Sequence, residues 1–277
     1  MPQLLSAPAG GQRGFALLIV LWMLVLIAFI TAHVTAAGRT EIRIAGNLAA
    51  NAAAQAAADG GVYQAIFNLA DPRPERRWAL DRAPHDVDIG GSRVTLRLED
   101  EDARVNPSYA SVALLEALLR VVGSDPGSAT SLANAIAEWA GSGSTRSAAA
   151  VLAEYQAAGL DYGPPGAPLE SLDELLRVRG MTPAVLAALR PHLTLFGQPM
   201  PDSAGADAEV AAALALLAPR TGGVQALRPT AADTMTARIH ATAQGPSNAI
   251  ATSVAVVRIS PTQSNGHTLL AWDNAEE

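Results

Sequence analysis

The chain has 277 residues and carries 19 basic and 26 acidic side chains, for a formal net charge of −7, with no cysteine. Without cysteine there is no disulfide framework, no thiolate nucleophile and no zinc ribbon. The negative charge argues against a polyanion-binding protein, because affinity for phosphates depends on clustered Lys and Arg. All basic residues are arginine, which excludes a P-loop, and an apolar share of 49% is too high for a disordered chain.

Residues 15–38 form an apolar segment without a single formal charge. As a helix rising about 1.5 Å per residue it is about 36 Å long, enough to cross a hydrocarbon layer of about 30 Å. A cleaved secretory signal is the alternative, because small residues follow the apolar part, although such signals usually have only about 7–15 apolar residues. Arg13 precedes the segment, and the positive-inside rule favours a cytoplasmic leader with the bulk of the chain beyond the inner membrane.

The start of the apolar segment carries a more specific pattern. A polar, basic leader ends at Gly14, and Phe15 opens the long apolar run. This junction resembles the class III signal of type IV pilins and type II secretion pseudopilins. The resemblance implies that a prepilin peptidase cleaves between Gly14 and Phe15 and methylates the new N-terminus.

Most members of that superfamily carry Glu as the fifth mature residue, and here that position is Ile19. A Glu in the bilayer is costly unless it is paired, and its natural partner is the N-terminal ammonium of a neighbouring subunit. Among pseudopilins the member that usually lacks this Glu is the K protein, which is thought to sit at the pseudopilus tip. With Ile19 at the fifth mature position, the chain resembles that member. The alternative is that Ile19 is an ordinary residue of an ordinary membrane anchor.

A stalk helix and a small sheet are predicted beyond the membrane. Polar residues at i+4 spacing form one ridge of the helix: Arg43, Asn47, Asn51, Gln55 and Asp59. The alanines between them favour close approach to other helices or to a sheet, whereas Gly60-Gly61 predicts a kink. Alternating apolar residues predict a hairpin around residues 90–92 and a second one from residues 237–243 and 249–259. The two hairpins bracket a long helical section, which predicts a helical insertion between strands.

The predicted insertion has recognisable helix caps and two segments with a family resemblance. Helix 131–140 and three capped helices are predicted, with caps at Ser111 and Gly123, at Ser171 and Glu174, and at Thr182 and Pro183. DEDARVNPSYASVALLEALLRVVG and SLDELLRVRGMTPAVLAALRPHLTLF resemble the best-marked segments of the type II secretion K-protein insertion domain. With the leader junction and Ile19, the resemblance to minor pseudopilin K of the general secretion pathway covers most of the chain.

The resemblance implies an α+β, pilin-like fold, in which a long transmembrane and stalk helix packs on a small antiparallel sheet. The expected segments are a cleaved leader (1–14), a transmembrane helix (15–38), a stalk helix (39–70), the first part of the sheet (71–106), the α-helical insertion (107–200), a helical or linker segment (201–230), a C-terminal hairpin (231–260) and a flexible tail (261–277).

Two kinds of binding chemistry deserve consideration. Asp100, Glu101 and Asp102 can supply oxygen ligands for Ca²⁺, but a solvated strand end is the favoured interpretation. Relatives that bind calcium carry an acid-rich segment after the second insertion helix, and the matching stretch here keeps only Glu138 and Trp139. The segment RVRGMTPAVLAAL resembles a helix-hairpin-helix that holds nucleic-acid phosphate, yet Arg177 and Arg179 are its only cations before the turn, so a packing turn is favoured.

No catalytic motif is expected to operate. The five histidines are scattered without paired-ligand spacing: His33, His85, His192, His240 and His267. The resemblance implies a non-enzymatic tip subunit that initiates pseudopilus assembly and supports export of folded proteins across the outer membrane. Its implied partners are minor pseudopilins I and J, the major pseudopilin filament, the prepilin peptidase and the inner-membrane assembly platform, with no nucleic acid and no certain cofactor. The alternatives are a minor pilin of a type IV pilus or DNA-uptake pseudopilus, and a membrane-anchored periplasmic enzyme.

Overall fold

A computed structural model describes residues 13–73, 75–142, 147–217, 234–260 and 266–275. In chain order, the helices and strands are α1 (Arg13–Leu69), β1 (His85–Ile89), β2 (Ser92–Asp100), α2 (Val112–Val121), α3 (Pro126–Ala140), α4 (Ala148–Ala157), α5 (Pro183–Leu189), α6 (Ala208–Leu217), β3 (Met235–Gln244), β4 (Ile250–Ile259) and β5 (His267–Ala275). Short 3-10 turns cover Leu172–Arg177, Arg190–His192 and Pro246–Asn248. The predicted α+β architecture is confirmed.

Helix α1 is one continuous helix of 57 residues whose second half packs on the sheet. The buried positions recur with helical periodicity and are mostly small: Ala50, Ala54, Ala57, Ala58, Val62, Ala65, Ile66 and Leu69. Small side chains bring the helix axis close to the strands, where it packs against β2, β3 and β4. The helix continues through Gly60 and Gly61 to Leu69, so the glycine pair does not end it, and the kink predicted there stays a prediction.

The sheet is an antiparallel meander with the strand order β1-β2-β3-β4-β5. Both predicted hairpins are present, and Gly90 and Gly91 have positive φ, as the two-residue turn between β1 and β2 requires. β2 pairs with β3 from Arg93↔Gln244 to Asp100↔Ala237, so the whole insertion leaves and re-enters the sheet between two adjacent strands.

The prediction of a flexible tail over residues 261–277 is wrong for residues 267–275. These residues form β5, which pairs with β4 from Ile259↔His267 to Thr252↔Ala275. Trp272 of this strand stacks on Tyr63 of α1, with ring centroids 5.8 Å apart. The strand forms because β4 would otherwise expose a row of unpaired backbone N–H and C=O groups.

The insertion has its own apolar core, separate from the core between α1 and the sheet. Its caps are largely as predicted: Ser111 Oγ accepts from Leu114 N at 3.2 Å, and Thr182 Oγ1 accepts from Val185 N at 3.3 Å. The second helix begins at Pro126 instead of residue 131, because Asp125 supplies an N-cap there. The Ser171 segment forms a 3-10 turn, and α4 is an additional helix that was not predicted.

Candidate functional site

The N-terminal part of α1 is the candidate membrane segment. Phe15–His33 is apolar and long enough to cross a membrane, and its side chains make no buried contacts. Phe15 and Ile19 both lie on this exposed segment, in the same helix that later packs on the sheet. The leader residues 1–12 lie outside the described residues, so cleavage between Gly14 and Phe15 stays a prediction.

A polar triad joins the stalk part of α1 to the centre of the sheet. Ser253 of β4 is fully buried and its Oγ donates to Asp59 Oδ1 at 2.6 Å. Gln55 Nε2 donates to Asp59 Oδ1 at 2.9 Å and to Ser253 Oγ at 2.8 Å. Two residues of the predicted polar ridge therefore face the sheet, where they satisfy a buried hydroxyl and fix the helix register.

The acidic corner, which we define as Asp100, Glu101 and Asp102, lies where β2 ends and the insertion begins. Glu101 is 0% exposed, and its Oε1 accepts from Arg238 Nε of β3. Arg104 NH1 is 3.9 Å from the same oxygen. A buried carboxylate is tolerated only with such cationic partners, so Glu101 ties the insertion to the sheet.

Asp100 and Asp102 also have structural partners. Asp100 Oδ1 accepts from Asp102 N at 2.9 Å, and Asp102 Oδ2 accepts from Thr236 N at 2.7 Å. Burial, followed by the charge of Asp102, raises the pKa of Asp100 to about 6. Burial likewise raises the pKa of Asp102. The solvated strand end is therefore the wrong interpretation, since the three acids form a partly buried junction.

The acidic corner fits Ca²⁺ poorly. Ca²⁺ needs six to eight oxygen ligands, whereas Glu101 already faces two guanidinium groups. Asp100 is also easier to protonate than an ordinary carboxyl. The three predicted acids do lie together, but their contacts connect the insertion to the sheet and do not leave a set of free oxygen ligands.

The segment that resembles a helix-hairpin-helix packs against α4. Arg179 NH2 donates to Glu154 Oε2 at 2.6 Å, and Arg179 N donates to the Tyr155 hydroxyl at 3.2 Å. One of the two local cations is therefore paired within the protein. These contacts favour the packing turn over phosphate binding.

Comparisons with known proteins agree with this geometry. Residues 95–198 match the family described as "Type II secretion system (T2SS), protein K". This range begins in β2 and covers the acidic corner and most of the insertion. The matched segment, 104 of the 277 residues, is similar to type II secretion protein K.

A solved structure with the same fold comes from the GspK-GspI-GspJ complex of the enterotoxigenic Escherichia coli type 2 secretion system. The similarity has a TM-score of 0.55 at 15% sequence identity, and it covers 87% of this chain and 99% of that chain. At this identity the likeness shows a shared pilin-like fold with a helical insertion. No curated protein sequence matches the chain.

Glu138 and Trp139, the two residues singled out for the expected calcium segment, lie in the last turn of α3. Trp139 is 3% exposed and lies near Tyr155 and Tyr162, with ring centroids 6.3 and 6.2 Å away. A cavity of about 850 Å³ opens beside it, lined by Trp139, Tyr162 and the loop that reaches Arg177. Arg146 lies outside the described residues. Trp139 is therefore engaged in aromatic packing with Tyr155 and Tyr162.

Sequence reasoning missed two sets of functional side chains because their members are far apart in the chain. Arg238 faces Glu101 across 137 positions, and Ser253 faces Asp59 across 194. His192 lies 2.7 Å from Asp207 across only 15 positions, but a loop without helical or strand periodicity separates them. One sequence signal could have indicated this pair. Asp207 immediately precedes the alanine-rich helix α6, and Asp is a typical N-cap residue.

Proposed function

We propose that this chain is a minor pseudopilin K of type II secretion and the tip subunit of the pseudopilus, where it initiates assembly and supports export of folded proteins across the outer membrane. The observation that carries the proposal is the position of the insertion between β2 and β3, at the end of the sheet where α1 finishes. A bulky module there would obstruct the addition of another subunit above it. Ile19 agrees with this role, because a subunit without a carboxylate at this position cannot offer the pairing group of an ordinary filament subunit.

Minor pseudopilins I and J are the proposed direct partners, by analogy with the complex that contains the structural relative. The contact surface on this chain is the part of α1 below the sheet, where Ile42, Ile44 and Leu48 are all exposed. Exposed large aliphatic side chains on a helix with small neighbours are suited to close helix–helix packing. The major pseudopilin filament and the inner-membrane assembly platform would contact the complex through the same helix.

The proposed topology is a single pass through the bacterial inner membrane, with a cytoplasmic N-terminus and the bulk of the chain in the periplasm. Arg13 before the span supports the orientation. A prepilin peptidase would cleave between Gly14 and Phe15, and Phe15 would then carry the mature amine. The protein would have no catalytic activity of its own, because its tasks are insertion, packing and capping.

Co-purification tests the partner proposal. Full-length protein should be isolated from membranes that also contain the cognate I and J pseudopilins, as the wild type and as Leu48→Arg. The wild type should retain both partners, and Leu48→Arg should lose most of them because a guanidinium enters an apolar helix contact. Asn47→Arg, which adds the same charge to a neighbouring polar position, is the control and should retain them. Absence of I and J from the wild-type complex would contradict the proposal.

N-terminal sequencing tests the maturation step. Protein made in cells with a prepilin peptidase should begin at Phe15 with a methylated amine, and protein made without the peptidase should retain the leader. A start near residue 37 would instead indicate an ordinary secretory signal, and an uncut chain in the presence of the peptidase would indicate a plain membrane anchor.

A further inference from the structure

A mixed cluster of one imidazole and two carboxylates lies at the base of the insertion. His192 ends the 3-10 turn after α5, whereas Asp207 and Glu209 lie at the start of α6. One nitrogen or oxygen atom from each side chain lies within 4.8 Å of the corresponding atoms of the other two, and all three residues are partly buried. His192 Nδ1 is 2.7 Å from Asp207 Oδ2.

Backbone contacts hold two of the three side chains in place. The carbonyl of His192 accepts from Val105 N at 2.9 Å, which anchors the turn to the start of the insertion. Asp207 Oδ1 accepts from Val210 N at 2.8 Å as the N-cap of α6, so its second oxygen is directed to the imidazole. The backbone of His192 and the side chain of Asp207 are therefore fixed in place, and Glu209 lies beside them as the third candidate ligand.

The charges in the cluster favour a bound cation. With a neutral imidazole the two carboxylates carry two negative charges in a partly buried space. The N-terminus of α6 and the charge of Arg82 offset part of the repulsion between the carboxylates.

We propose that His192, Asp207 and Glu209 form a binding site for a divalent first-row transition-metal ion, represented by Zn²⁺. Imidazole nitrogen selects such ions over Ca²⁺ and Mg²⁺, which prefer oxygen ligands alone. Zn²⁺ commonly takes three protein ligands and a water molecule, with ligand atoms at about 2.0–2.2 Å. The ligand atoms then stand about 3.4 Å apart in a tetrahedral site. Rotation of the Glu209 side chain can close the remaining distance.

Binding would replace the proton between His192 Nδ1 and Asp207 Oδ2. The neutral imidazole keeps its one ring proton, which moves from Nδ1 to Nε2 by exchange with water and leaves the Nδ1 lone pair free for the metal. Both carboxylates stay ionised, and no oxidation or reduction takes place. The ion would fasten α6 to the turn after α5, just before the chain returns to β3. This metal clamp is separate from the acidic corner and does not depend on the proposed role at the pseudopilus tip.

Metal analysis of the full-length protein in detergent tests the site. Protein stripped with a chelator should bind one Zn²⁺ per chain in equilibrium dialysis, and Co²⁺ should give visible absorption bands typical of a nitrogen–oxygen site. Glu209→Gln and His192→Gln should each weaken Zn²⁺ binding at least tenfold. His240→Gln is the matched control, because His240 lies 4.0 Å from a single carboxylate, Glu99, and should bind like the wild type.

The possible results separate clearly. Equal Zn²⁺ binding by all four proteins, or none by the wild type, would overturn the proposal, and so would Ca²⁺ binding at the same strength as Zn²⁺. Thermal unfolding without metal shows whether each variant folds. If His192→Gln does not fold, Glu209→Gln decides, because this nearly isosteric change leaves the His192–Asp207 pair in place.

Discussion

Gly61 of α1 lies directly against Val94 of β2. A Cβ atom at position 61 would come within 2.8 Å of Val94 Cγ1 and 3.1 Å of Leu96 Cδ2. Glycine in a helix interior costs about 1 kcal/mol relative to alanine, so its presence here has a packing reason. The absence of a side chain at position 61 therefore lets the helix approach the sheet closely.

Gly61→Ala should therefore destabilise the protein by about 1–3 kcal/mol, because the added methyl group overpacks the interface with β2. Gly46→Ala is the control, since a Cβ at position 46 has no neighbour within 4 Å. It should leave stability unchanged or raise it by up to about 1 kcal/mol. Chemical unfolding of the full-length protein in detergent measures both changes, and equal stability of the two variants would contradict this account of the interface.

Ser253→Ala should destabilise the protein by about 1–3 kcal/mol. The change removes the buried hydroxyl that donates to Asp59 and accepts from Gln55, so these two partly buried side chains each lose one hydrogen bond. Thr242→Val is the comparison, because the Thr242 hydroxyl is exposed and its contact with Thr252 is 3.4 Å long. Thermal unfolding should show a clear loss for Ser253→Ala and little change for Thr242→Val.

Arg238→Met should destabilise the protein by about 3 kcal/mol or more, because it leaves the buried Glu101 carboxylate with only the distant guanidinium of Arg104. Adding Glu101→Gln to this variant should restore part of the loss. Arg97→Met, on the exposed face of β2, should change stability by no more than about 0.5 kcal/mol. A double variant as unstable as Arg238→Met alone would show that the ion pair is not the cause.

Asp100→Asn should stabilise the protein at neutral pH but not in acid. The pKa of Asp100 rises from 3.8 to about 6 on folding, so the folded state binds more protons and stability falls as pH increases between about 4 and 6. Asparagine removes this titration, and the gain should reach about 1–2 kcal/mol above pH 6 and vanish below pH 4.

Unfolding measured with chelator and with Ca²⁺ extends the same experiment. The wild type and Asp100→Asn should both be insensitive to Ca²⁺, because Glu101 is engaged by arginines. Stabilisation of the wild type by Ca²⁺ that Asp100→Asn abolishes would instead identify the acidic corner as a calcium site.

Most of the fold that could be predicted from the sequence was predicted from local patterns. Alternation around Gly90-Gly91 predicted the first hairpin, and the capping residues Ser111 and Thr182 predicted two helix starts, because these signals depend on neighbours in the chain. β5 was missed because its pairing depends on β4, and its own residues follow a polar segment. Contacts such as Arg238 with Glu101 depend on the whole topology, so no local pattern indicates them.

The base of the insertion is closed by its own contacts. Val105 forms a parallel bridge with Leu193, and Asp202 N donates to Asp102 O at 2.8 Å. Closing a chain loop costs entropy that increases with its length, and contacts between distant residues slow folding. An insertion that folds first brings its own ends together and shortens the loop that remains when β2 meets β3. Because these contacts fix the distance between the ends of the insertion, a change of length within it need not alter the pairing of β2 with β3.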